Sequence, residues 1–179
     1  MGSDSATAVA FDSDGNIYMT GSTKSKDFPT TDGAYQSRFT ANCPYATDSI
    51  PTGTIGSIPI TVNQNSFVTK LDRNGGLVYS TYLGGNCNDT TYAITVDSGG
   101  DAWVTGATDS STFPQVWPLD GSAASMSYQG FVTRFAASGN WVWRSSYVSG
   151  NITQALATDA AGNAYLGAGK GVLKVTPQP

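Results

Sequence analysis

The chain has 179 residues, enough for a domain with its own core, and only 12% of them are charged, well under the usual quarter. The formal net charge is −4 with no basic run, which argues against a nucleic-acid partner. No apolar run approaches the roughly 18 residues of a membrane-spanning helix, so no membrane insertion is expected.

All thirteen acids are aspartate, and glutamate and histidine are both absent. Aspartate favours turns, whereas glutamate favours helices, so the acid choice itself points to strands and loops. The opening residues MGSDSATAV have neither a charged nor an apolar leader region. Met1-Gly2-Ser3 fits a cloning remnant on an excised piece of a larger, exported protein.

The first element to decide is FDSDGNIYMTGST, Phe11 to Thr23. Its first half resembles the start of a calcium loop, and its second half a strand. The segment recurs as DSGGDAWVTGAT from Asp97 and as DAAGNAYLGAG from Asp159. The position of Asp14 becomes Gly99 and then Ala161, so a calcium cage would lose ligands from copy to copy. What persists is an aspartate that can accept turn N–H groups and a glycine that can take positive φ. The segment therefore reads as strand, turn, strand, with one calcium at Asp12, Asp14 and Asn16 as the lesser alternative, and no metal site or cofactor is expected.

A second unit alternates with the first: SFVTKLDRNGGLVYSTYLGG from Ser66, GFVTRFAASGNWVWRSSYVSG from Gly130 and GVLKVTP from Gly171. It too is a hairpin by its period-2 alternation around a glycine turn. Two hairpins in succession make a four-stranded antiparallel meander. Strands are expected near 6–11, 16–22, 66–72 and 77–83, then near 91–96, 101–107, 130–136 and 140–147, then near 154–158, 163–167 and 171–176. The fold class is all-β: one domain over 1–179 with blades over 6–83, 91–147 and 154–176, about two and three-quarter blades.

DSDGNIYMTGSTKSKDFPTTDGAYQ followed by SFVTKLDRNGGLVYSTYLGG resembles the bacterial β-propeller repeat called the SBBP repeat. The resemblance runs over nearly the whole chain. It implies propeller blades in secreted or cell-surface bacterial proteins, and it implies no particular activity.

A propeller closes with roughly four to eight blades. Fewer blades leave two bare faces, expected here to carry Val9, Tyr18, Tyr92, Trp103 and Tyr165. Three arrangements answer that problem. The chain is a homo-oligomer, it completes a ring with another propeller chain, or it folds as an open or stacked β structure.

The turns DSDGN, DRNGG, DSGGD, AASGN and DAAGN share one end of the blades, and two long loops, Lys24 to Asn65 and Asp109 to Gln129, share the other. Phe28-Pro29 and Phe113-Pro114 open these loops and read as anchors. Cys43 and Cys87 both fall at the loop end, which favours a disulfide over two free thiols. Tyr45, Trp117 and Tyr128 are large rings among few other apolar residues, suited to a carbohydrate ligand or to packing the loops onto the blades.

Without histidine, no Ser-His-Asp or Cys-His site can form within the chain. Asp27, Asp32, Asp48, Asp89, Asp109 and Asp120 are the loop-end carboxylates open to glycoside chemistry, and nothing pairs any two of them. No catalytic residue is assigned. The leading reading is a non-catalytic extracellular structural and interaction module. The alternative is a carbohydrate-binding module on the long-loop end, and a glycoside hydrolase or lyase comes third.

Overall fold

The computed structural model describes residues 2–43, 63–119, 124, 128–148, 152–169 and 171–177, together with the strand residues 48–50 and 58–60. The described residues hold thirteen strands and no helix. The first sheet is β1 (Asp4–Phe11), β2 (Ile17–Thr23), β5 (Asn65–Leu71) and β6 (Leu77–Leu83), in that order. The second is β7 (Asp89–Val96), β8 (Ala102–Thr108), β9 (Gln129–Phe135) and β10 (Val142–Val148). The third has three strands, β11 (Thr153–Thr158), β12 (Ala164–Ala168) and β13 (Gly171–Val175). A small hairpin, β3 (Asp48–Ile50) with β4 (Ile58–Ile60), lies inside the first long loop. All pairings within these sheets are antiparallel.

The same turn starts each blade. Gly15 N–H donates to Asp12 O at 3.1 Å, and Asp12 N–H donates to Asn16 O at 3.2 Å. The pairs Asp97/Gly100 and Asp159/Gly162 repeat the pattern. Gly15, Gly100 and Gly162 take φ of 80°, 83° and 78°, the left-handed conformation that such a three-residue hairpin loop needs. Each blade's first strand also carries an irregularity at the same place, at Ala6/Ala8, Thr91/Ala93 and Thr153/Ala155. Opposite the first two, a Cβ on Gly21 or Gly106 would lie 2.0 Å from the Ser5 or Thr90 carbonyl oxygen, so only glycine fits.

The long loops fold back on the outer strands. Phe28 packs on Phe67 and Tyr82 at 4.6 and 5.8 Å, and Phe113 packs on Phe131 and Tyr147 at 4.5 and 6.1 Å. The carbonyls of Pro29 and Pro114 accept from the hydroxyls of Ser80 and Ser145 at 2.7 and 2.8 Å. Beyond them, Thr31 N–H donates to Ser80 O on β6, and Val116 exchanges both backbone bonds with Ser145 on β10. Each loop therefore covers the free edge of its own blade, an edge that would otherwise recruit strands.

The blades stack face to face. Tyr18, Val68 and Leu83 of the first sheet share a core with Ile94, Ala102, Val104, Phe131 and Phe135 of the second. Trp103, Val132 and Val148 of the second share another with Ala164, Leu166 and Val175 of the third. Tyr18 and Trp103 were expected on bare faces, but both are fully buried. They point forward along the stack, where the next sheet covers them.

Candidate functional site

Three side chains recur on the forward face of every blade. In the first, Asp12 Oδ1 accepts the N–H groups of Asp14 and Asn16 at 3.0 and 2.9 Å, and Oδ2 accepts from the Asn16 side chain at 2.8 Å. The Tyr18 hydroxyl lies 3.1 Å from Asp12 Oδ2 and 3.1 Å from the Gly100 carbonyl of the next blade, and can donate to either. Lys70 sits over the Tyr18 ring at 4.8 Å and 3.8 Å from Asp12. Burial raises the pKa of Asp12, but hydrogen bonds from Asn16, Tyr18 and Asp14 outweigh it and hold the carboxyl below its ordinary value. Burial, and then the charge of Asp12, push the Tyr18 hydroxyl up.

In the second blade the set is Asp97, Trp103 and Arg134. Trp103 Nε1 donates to Asp97 Oδ2 at 3.1 Å, and Arg134 bridges Asp97 and Asp101 at 3.1 and 3.0 Å. In the third it is Asp159, Tyr165 and Lys174, with the Tyr165 hydroxyl donating to Asp159 at 2.9 Å and Lys174 5.6 Å from the ring. Hydrogen bonds, from the Asn163 side chain first, bring Asp159 down to about 2. These aspartates organise the turns and hold the aromatic rings.

Among the described residues no blade lies in front of the third copy. Val68, Val132 and Val172 occupy the same place on the third strands of the three blades, opposite Thr20, Thr105 and Gly167. Val68 and Val132 are 0% exposed, and Val172 is 73% exposed. At the other end of the stack the backward face of the first blade is covered by its own loop at Phe67 and Tyr82 but open at its turn end. Val9 pairs with Met19 as Ile94 pairs with Val104, yet Val9 is 56% exposed and Ile94 only 8%. Phe11 and Leu77 extend this apolar row.

At the loop end, Cys43 and Cys87 form a disulfide, with Cα atoms 4.4 Å apart. It ties the first long loop to the link between β6 and β7, beside a hydrogen bond from Asn42 N–H to Asn86 O at 2.9 Å. Asp89 lies at the start of β7, fully buried. It accepts from Thr108, Gly85 N–H, Ser110 and Asn65 at 2.6 to 3.2 Å. Burial pushes its carboxyl up to about 7 against those hydrogen bonds.

Asp109 holds the backbone and side chain of Asn88, and Asp27 and Asp32 are exposed. The side chain of Asp48 and all of Asp120 lie outside the described residues.

Of the three loop rings, Trp117 and Tyr128 are exposed, and Tyr45 lies outside the described residues. Trp117 takes φ of 46°, the one non-glycine residue described with positive φ. Its carbonyl accepts from Arg144 Nη1 at 2.8 Å. Among the described residues, the groove beside it is lined by Trp117, Pro118, Leu119, Arg144, Lys174 and Thr176, among others, and not by Tyr128. Sequence reasoning singled out Trp117 and missed Arg144 and Lys174. The signal available was the cation that recurs on the third strands as Lys70, Arg134 and Lys174.

Stacked antiparallel sheets, each opened by one Asp-led hairpin and two of them four-stranded, define a β-propeller-type module whose ring is not closed by the described residues. Residues 2–29 match the family model of the SBBP β-propeller repeat, which places that repeat at the first hairpin. No curated protein matches the chain.

Proposed function

We propose that the chain is a non-catalytic structural and interaction module of an exported or surface-displayed bacterial protein. It acts by packing its open blade faces against further blades, supplied by a second copy of itself or by another propeller chain. The observation that carries this reading is the contrast between Val172 and its buried counterparts Val68 and Val132. An apolar face of that kind, repeated elsewhere in the chain as a packed interface, calls for a partner. The disulfide fits an oxidising compartment.

The two open faces differ, one built like the front of a blade and the other like the back. Contacts between copies would therefore be head to tail, giving a closed ring or a filament. Light scattering on the wild type and on Phe11→Asp tests this. Assembly of the wild type, reversed in the variant, is expected, and a monomeric wild type at all concentrations contradicts self-assembly.

A second reading, a carbohydrate-binding module, rests on the exposed indole of Trp117, 69% accessible on a pinned loop. A glycan array in which Trp117→Ala loses all signal would support it. An array without signal from the wild type removes it.

A further inference from the structure

The outer edges of β6 and β10 are covered by their own long loops, but among the described residues no loop pairs with the outer edge of β13. Residues 169 and 170 join β13 to β12, too short a link to supply a covering loop of its own. Its sheet also stops at three strands where the others have four. Beside the end of β13 lies an open groove of about 290 Å³, between Lys174 and Thr176 on one side and Trp117, Leu119 and Arg144 on the other.

Arg144 is the unusual wall of this groove. It is only 6% exposed. Its Nη1 reaches the Trp117 carbonyl, and its Nε has no hydrogen-bond partner among the described residues. Burial lowers its pKa, and no carboxylate offsets that. Lys174 adds a second positive charge, and no acid lines the groove. A buried cation without a counter-charge is costly, so the site favours an incoming anion.

The completed blades show what the free edge takes. In both, the fourth strand runs antiparallel to the third and begins opposite its last residues, Leu77 across from Leu71 and Val142 across from Phe135. Val175 holds the corresponding place on β13, since it pairs with Ala164 as Phe135 pairs with Ala102. A fourth strand on β13 would therefore begin at the groove.

We infer that the free edge of β13 and the Arg144 groove together seat an extended peptide strand of a partner protein, antiparallel to β13, with a carboxylate side chain at its N-terminal end against Arg144 and Lys174. This rests on the reading of the chain as an unfinished set of blades and carries it from the faces to an edge. It is strand addition, with backbone pairing for affinity and one charge for register.

The test uses labelled peptides and fluorescence anisotropy on the Phe11→Asp chain, whose altered face lies at the far end of the stack. The probes are GLVYSTYLGG, the sequence of residues 76–85, preceded by Asp-Asp, the same peptide preceded by Asn-Asn, and an Asp-Asp version with proline at the Tyr79 and Thr81 positions, whose N–H groups face the third strand because those of Ser80 and Tyr82 face the loop. Saturable binding is expected for the first, about tenfold weaker binding for the second, and none for the third. Arg144→Gln and Lys174→Gln should each shrink the preference for aspartate. Lys174 is exposed, so its variant remains informative if Arg144→Gln does not fold.

Three results would overturn the inference: no peptide binds, the proline peptide binds as well as the first, or aspartate and asparagine peptides bind equally. Binding of trigalacturonate in place of any peptide would make the groove a sugar site and would overturn it too. A wild-type chain that assembles yet takes no peptide loses this inference alone, and a monomeric wild type that takes the first peptide loses only the self-assembly reading.

Discussion

The interface between the first and second blades and the open front of the third are built from equivalent residues in the same order. Asp12, Tyr18, Val68 and Lys70 form one, and Asp159, Tyr165, Val172 and Lys174 form the other. In the first, a following blade buries the valine and offers the Gly100 carbonyl to the tyrosine. In the third, Val172 faces solvent, and the one hydrogen bond described for the tyrosine hydroxyl goes to its own aspartate. The strand pattern thus encodes the face, while burial depends on the neighbour. Burying one valine is worth roughly 1.5–3 kcal/mol, so each bare face forgoes several such contributions.

The largest test of the comparison is a charge at the two valines. Val68→Asp should cost about 4 kcal/mol or more and unfold the first two blades, because it buries an unpaired carboxylate. Val172→Asp should leave chemical denaturation of a lone chain within about 0.5 kcal/mol while preventing assembly. Equal losses at both sites would mean that the third blade's face is covered within the chain.

Next in size is the disulfide, which braces the first blade's loop and has no counterpart on the third blade. Replacing both cysteines by serine should cost about 4 kcal/mol by the chain-entropy argument for a link 44 residues apart. Hydrogen exchange should rise first in residues 24–43 and last in β11 to β13. Faster exchange starting in the third blade would contradict the assigned brace.

Asp89 gives a smaller and pH-dependent effect. Its carboxyl is pushed up to about 7 by burial, above the value near 4 of an unfolded chain. The native state therefore takes up a proton between these values. This contribution is fully present below pH 4 and is lost as pH rises towards 7, by an amount of order 1–3 kcal/mol. Asp89→Asn should remove that slope and cost about 2 kcal/mol at low pH, since its amide nitrogen faces donors. Urea melts of both proteins across pH 4–7 check it, and an unchanged slope would assign the titration elsewhere.

The smallest expected effect compares two hydroxyls. Tyr18→Phe should cost about 1–1.5 kcal/mol, and Tyr165→Phe less than about 0.5 kcal/mol, because one hydroxyl is buried between blades and the other is partly solvated. A reversed order in thermal melts would contradict the forward orientation of these rings.

Much of this was legible in the sequence. The Asp-led glycine turns and period-2 alternation placed the blade strands within two residues of where they lie, because both signals are local. The disulfide was legible because hairpin topology sends Cys43 and Cys87 to one end. Phe28 and Phe113 anchor their loops as their Phe-Pro setting suggested.

Other features depend on neighbours that no local pattern reveals. Tyr18 and Trp103 looked like bare-face residues because strand alternation gives the face but not what lies against it. The β3–β4 hairpin was missed in a stretch punctuated by Pro51 and Pro59. The groove at Arg144 was missed because it joins an outer strand of one blade to the edge of the next. Its one visible hint was an arginine on β10 where the first blade has Tyr79.

If the two open blade faces are interfaces that further blades complete, the chain must associate in solution. Light scattering across a concentration series, run on the wild type and on Val172→Asp, reads that association as mass. The wild-type mass should rise above the 18.6 kDa of one chain, and the variant should stay at it. A wild type that remains folded at 18.6 kDa at every concentration, with no binding of hydrophobic dye to its faces, would contradict that reading of the faces.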